Sequence, residues 1–169
     1  MLIPLQGSNG RILVDQETLD YIDSSAPNPT QSSLDTLLSQ TRGVRVYSGG
    51  ASRGEPLSDE PLWEITDEIA LESLGIALRI NDGPHGHCMC HGDAALEFLG
   101  ASGDRLAVIG VHHGESIRWN AWCEDAELTR GSKILKWLND RGVWDGLQHH
   151  RKAPEDTKLS PWTAVTCSD

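Results

Sequence analysis

Apolar residues recur along this chain at two spacings, every second residue in some stretches and every third or fourth in others. The first spacing marks strands with one buried face, the second marks helices with one buried stripe. Arg11-Ile12-Leu13-Val14, after an initial turn, and Val44-Arg45-Val46-Tyr47 read as strands. So do Leu62-Trp63-Glu64-Ile65, Ile76-Ala77-Leu78-Arg79-Ile80 and Ser116-Ile117-Arg118-Trp119. Helical spacing appears after Asp15 (Tyr21, Ile22), after Ser33 (Leu34, Leu37, Leu38) and after Asp67 (Ile69, Ala70, Leu71, Leu74). It returns after Ser132 with Ile134, Leu135, Trp137 and Leu138. Asp and Ser suit the start of a helix because their side chains accept hydrogen bonds from its first N–H groups. Gly43, Gly75 and Gly142 fall where those helices should stop.

Residues 87–99 and 105–113 form the longest pair of candidate strands, joined by Gly100-Ala101-Ser102-Gly103-Asp104. Asn81-Asp82-Gly83-Pro84 is a strong turn signal before them. Residues 25–33, with Pro27 and Pro29, read as linker, and 48–59, rich in Gly and Ser, as a loop. The order predicts an α+β protein: an antiparallel β-meander over about 76–119 with helices packed on one face. It divides the chain into an N-terminal segment (1–60), partly helical with flexible loops, and a core domain (61–147). A loose C-terminal tail follows (148–169), polar and broken by Pro154 and Pro161.

The length of 169 residues suits one domain with a core large enough to need no disulfide or metal staple. Charge narrows the function classes. Twenty-five Asp and Glu against 14 Lys and Arg give a formal net charge of −11. Such a surface repels phosphate backbones and anionic lipid, so no nucleic acid and no membrane is expected as a partner. A basic protein is the partner that acidity would favour. No apolar run approaches the roughly 20 residues of a membrane helix. The opening Met1-Leu2-Ile3-Pro4-Leu5 lacks the basic start of a secretion signal, and the expectation is a cytoplasmic protein with reduced thiols.

Reduced thiols make the cysteine positions informative. Two of four cysteines and five of seven histidines fall in two short runs, residues 85–93 and 112–115. If both runs end strands of one hairpin, they meet. Alternation puts Cys88, Cys90, Leu96 and Phe98 on one face and His87, Met89, His91 and Asp93 on the other. Pairing Phe98 with Leu106 places Leu96 opposite Val108 and His112 on the cysteine face. A one-residue slip exchanges His112 for His113.

Three chemistries compete for that cluster. Thiolates from Cys88 and Cys90 with His112 or His113, and one of His87 or His91, would form a metal site, with zinc the fitting ion. A Cys88 or Cys90 nucleophile with a histidine base and Asp93 or Glu115 behind it would form a cysteine-dependent hydrolase. Alternatively the cysteines are small buried hydrophobes and the histidines bond nearby carbonyls, leaving a protein-interaction module of the toxin-neutralising or defence-associated kind. Arg118, Trp119 and Trp122 could line a ligand wall, though tryptophans at that spacing more often pack a core. Cys123 and Cys167 stand alone. Phosphate-loop, dinucleotide-loop and nucleophile-elbow patterns are absent.

Several of these runs together resemble an uncharacterised family of small bacterial proteins. They are Ala77-Leu78-Arg79-Ile80, Gly86-His87-Cys88-Met89-Cys90 with Gly92-Asp93, and His112-His113-Gly114 with Ser116-Ile117-Arg118-Trp119. Asp125-Ala126, Leu128, Leu135 and Trp137-Leu138 continue the likeness, which covers about residues 62–143. The resemblance implies a bacterial origin and carries no activity with it.

Overall fold

The computed structural model describes residues 25–143 in full and the backbone of residues 2–7 and 10–15. The helix expected after Asp15 and the tail from Gln148 lie outside the described residues. Strands β1 (Leu2–Gly7) and β2 (Gly10–Asp15) pair antiparallel, so the first residues are a strand where a turn was expected.

The chain then forms α1 (Gln31–Gln40), β3 (Gly43–Ser48), the short strands β4 (Ala51–Ser52) and β5 (Glu55–Pro56), and β6 (Trp63–Ile65). Helix α2 (Glu68–Ala77) follows, then β7 (Ala94–Leu99), β8 (Arg105–His112), β9 (Ser116–Trp119), β10 (Ala126–Glu127) and α3 (Gly131–Asn139). Six strands make one sheet in the order β10-β9-β8-β7-β3-β6, every pairing antiparallel. The fold is α+β, as the patterning predicts. Strand β3 lies inside this sheet and Leu34 and Leu37 of α1 lie in its core, so the core draws on both sides of residue 60.

Side-chain alternation splits the sheet into two faces. Val44, Val46, Leu96, Phe98, Ile109, Val111 and Ile117 share one buried cluster with Leu34 of α1, Leu74 of α2, and Ile134, Trp137 and Leu138 of α3. On the other face Tyr47, Ala95 and Val108 form a small cluster against Ala51 of β4. The β4–β5 hairpin thus covers part of a face where the sequence suggested only a loop.

Local chemistry explains most element ends and two surprises. Thr30 caps α1, accepting from the Ser33 N–H, and Asp67 caps α2, accepting from the Ala70 N–H. Helix α3 starts at Gly131 with no side-chain cap, where Ser132 was the expected one. Gly75 does not stop α2. It lies inside the helix, packed against α1, where a Cβ would make an ordinary contact with Leu38 Cδ1 at 3.5 Å. The strand expected at 76–80 is therefore the helix end plus a single bridge from Ile80 to Leu128. No helix among the described residues is long and apolar enough to cross a membrane.

The β7–β8 register differs by one residue from the pairing expected. Phe98 faces Ala107 and Leu96 faces Ile109, with a bulge after Phe98 where Leu99 pairs with Arg105. Leu106 is the extra residue, and an extra residue turns everything beyond it to the opposite face. Val108 and His112 accordingly leave the core face for the one covered by β4–β5.

A buried carboxylate also lies on that second face. Glu97, 3 % exposed, accepts from the Tyr47 hydroxyl at 2.7 Å and from Arg105 Nε at 2.5 Å, with Arg45 at 3.7 Å. Burial pushes its carboxyl up, but the Tyr47 hydroxyl and the Arg105 and Arg45 charges outweigh burial and hold it below the usual range. A carboxyl lowered on folding stabilises above its unfolded value, near pH 4.3, and that stability fades as pH falls through the folded value. Urea midpoints measured from pH 7 downward should fall through that acid window. Glu97→Gln should flatten this part of the curve, and an unchanged acid limb would rule the linkage out.

Candidate metal centre

Residues 85–93 are not a strand. Gly83, Gly86 and Gly92 have φ of 102°, 93° and 92°, values that break a pleat and that side chains rarely adopt. The alternation argument for this run therefore fails, and Cys88 and Cys90 are half-buried instead of core-facing. Their i, i+2 spacing still brings the sulfurs to the same side, 2.6 Å apart.

The histidines arrive from the end of β8. His112 is its last residue, and the turn to β9 runs through His113 (φ 55°) and Gly114 (φ 67°), closed by Glu115 N–H donating to His112 O. A non-glycine residue in the left-handed region needs support. Asp93 supplies it: its Oδ2 accepts the His113 N–H at 2.7 Å. Helix α3 closes the other side, since a Cβ on Gly131 would lie 1.4 Å from the Gly114 carbonyl oxygen.

Both imidazoles reach the thiols. Cys90 Sγ is 3.2 Å from His112 Nδ1 and 3.2 Å from His113 Nε2, and Cys88 Sγ is 3.6 Å from His113 Nε2. The donor atoms of Cys88, Cys90 and His112 all lie within 4.8 Å of one another. His112 is 1 % exposed, and its Nε2 is buried with no hydrogen-bond partner. Gly92 and Gly110 make room for this ring; a Cβ at either would come within 3.3 Å of that nitrogen.

Burial favours the neutral forms of Cys90 and His112. Burial, then the hydrogen bond to Cys88, pushes the Cys90 thiol up to about 11. Burial, then the Arg118 charge, lowers His112 to about 4. A thiol held protonated is the opposite of an activated nucleophile.

A second layer fixes the loop, and patterning did not reveal it. Arg118 of β9 grips the Asp125 carboxylate through Nε (2.7 Å) and Nη2 (2.9 Å). The same guanidinium donates to the Cys90 carbonyl at 3.1 Å and the Cys88 carbonyl at 2.5 Å. Asp125 O accepts the His85 N–H, and Glu124 Oε2 accepts the Gly86 N–H. Gly50, just before β4, presses on the loop, because a Cβ there would lie 2.0 Å from His91 O. The only sequence signal was a charged residue mid-strand at Arg118, opposite a glycine at 110.

Other candidates fall elsewhere. His87 Nδ1 lies 3.4 Å from Asp125 Oδ1, outside the ligand group. His91 is exposed and contributes its carbonyl to the Ala51 N–H. Glu115 is exposed, whereas Asp93 Oδ2 lies 3.6 Å from His113 Nδ1. Trp122 is buried with Nε1 on Ser33 Oγ and stacks edge-on against Trp119, so the tryptophans pack the core and form no ligand wall with Arg118. Cys123 is not part of the group and does not stand alone as expected, because it is disulfide-bonded, and Cys167 lies outside the described residues. No family model, no curated protein and no solved structure matches this chain.

Proposed function

We propose that this is a metal-binding protein whose centre is Cys88, Cys90 and His112, filled by zinc or another thiolate-seeking ion. The observation that carries the reading is convergence: three donors from two separate segments lie within 4.8 Å. Two thiolates and an imidazole suit zinc and are poor ligands for calcium or magnesium, which prefer oxygen. An ion between the sulfurs would also favour the Cys90 thiolate over the thiol that burial, then the hydrogen bond to Cys88, holds protonated.

The main apolar cluster is built from residues of the sheet and the three helices, away from the cysteine loop, so the core is expected to form without the ion. Binding adds stability by mass action instead. Protein purified without a metal-affinity tag should carry about one equivalent of metal by elemental analysis. After chelation, zinc at 100 times its Kd should restore about 2.7 kcal/mol of folding stability. Metal-free protein whose unfolding is unmoved by added zinc would end this reading.

A further inference from the structure

The three donors of the proposed centre leave a fourth tetrahedral position, and the structure offers His113 for it on unequal terms. His112 is 1 % exposed at the end of a strand, wedged between Gly92 and Gly110. The His113 side chain is 41 % exposed and belongs to a turn. Its Nε2 touches both sulfurs, yet the tight donor group is completed by His112. Met89, between the two cysteines, is 86 % exposed, so part of the loop that carries the sulfurs meets solvent.

We infer that His113 is the displaceable ligand of this site, and that its place is taken by an incoming thiolate. The inference rests on the metal-centre reading and adds an open position to it. Structural zinc sites are closed by four protein ligands, whereas sites that act on something keep one position exchangeable. In the exchange the bond from the ion to His113 Nε2 breaks and a bond to the incoming sulfur forms. The thiol proton passes to solvent, and no electrons change hands. Cys88, Cys90 and His112 keep the ion throughout. A small-molecule thiol or a cysteine side chain of another protein supplies the same donor, and such a site either presents a thiolate for chemistry or hands the ion on.

The test uses the full chain, stripped of metal and loaded with Co(II), titrated with 2-mercaptoethanol. The readouts are the sulfur-to-cobalt charge-transfer band and the visible bands of tetrahedral cobalt. Wild type should gain thiolate absorption while keeping its cobalt. If His113 occupies the fourth position in nine molecules of ten, removing it raises apparent thiol affinity about tenfold. His113→Ala should therefore still bind one Co(II) and saturate at about one tenth of the thiol concentration. His112→Ala should lose Co(II).

Equal thiol saturation in wild type and His113→Ala would overturn the inference. So would loss of Co(II) from His113→Ala as complete as from His112→Ala, or thiol that strips cobalt without a bound-thiolate band. Because His112 is buried, thermal unfolding of its variant is followed in parallel. His113→Ala and His113→Gln, at a half-exposed side chain, decide the matter without it. Wild type that binds no Co(II) at all fails the metal-centre reading itself, an outcome distinct from the other three.

Discussion

Arg118→Ala should cost about 3–5 kcal/mol of folding stability and weaken metal binding about 10–100-fold. Arg118 is 16 % exposed and Asp125 1 % exposed, so their ion pair is shielded from water. Removing the guanidinium strands a buried carboxylate, which costs more than the intact pair contributed. It also takes the donors from the Cys88 and Cys90 carbonyls, the two contacts that aim both sulfurs at the histidines. Arg118→Lys keeps the charge but not the fork, since an ammonium cannot hold two carboxylate oxygens and two carbonyls in one plane. It should lie between wild type and alanine on both counts. Urea denaturation gives the stability term, and competition with a chromophoric chelator gives the affinity. An alanine variant that loses stability but binds zinc as tightly as wild type would mean the loop holds its own shape.

The strands were legible in the sequence where β-branched and large apolar residues alternate, as in Val44-Arg45-Val46-Tyr47 and Ser116-Ile117-Arg118-Trp119. Three things were not. Gly75 has the composition of a helix stop, yet α2 runs through it to Ala77, its inner side packed against Leu38 of α1. The bulge at Leu106 has no local signature, and it reversed the faces of Val108 and His112. The clamp at Arg118 and Asp125 joins residues 28 to 37 positions from the cysteine loop, beyond the reach of any periodicity.

The convergence of Cys88, Cys90 and His112 nevertheless held, although the strand geometry used to infer it did not. The reason is that two adjacent histidines end the strand. The last strand residue points to one face, while the left-handed turn brings the next imidazole back to the same sulfurs. Either register therefore delivers a nitrogen to the thiols. The turn delivers both.

Phe98→Ala should cost about 3–5 kcal/mol, because it removes a fully buried ring from the centre of the main cluster. Phe98 lies between Val44 on β3 and Ala107 on β8, so its loss opens a cavity where the two central strand pairs meet the helices. Neighbouring backbone is held by ladder bonds and cannot collapse to fill it. His91→Ala should stay within about 0.5 kcal/mol, since the side chain is exposed and the carbonyl that Ala51 uses survives the substitution. Neither change should alter metal content: Phe98 points to the face opposite His112, and His91 lies outside the ligand group. Denaturant midpoints with elemental analysis test both statements together. If His91→Ala lowered zinc content while Phe98→Ala left stability untouched, the loop would be a strand after all, and the register that puts His112 beside Cys90 would be wrong.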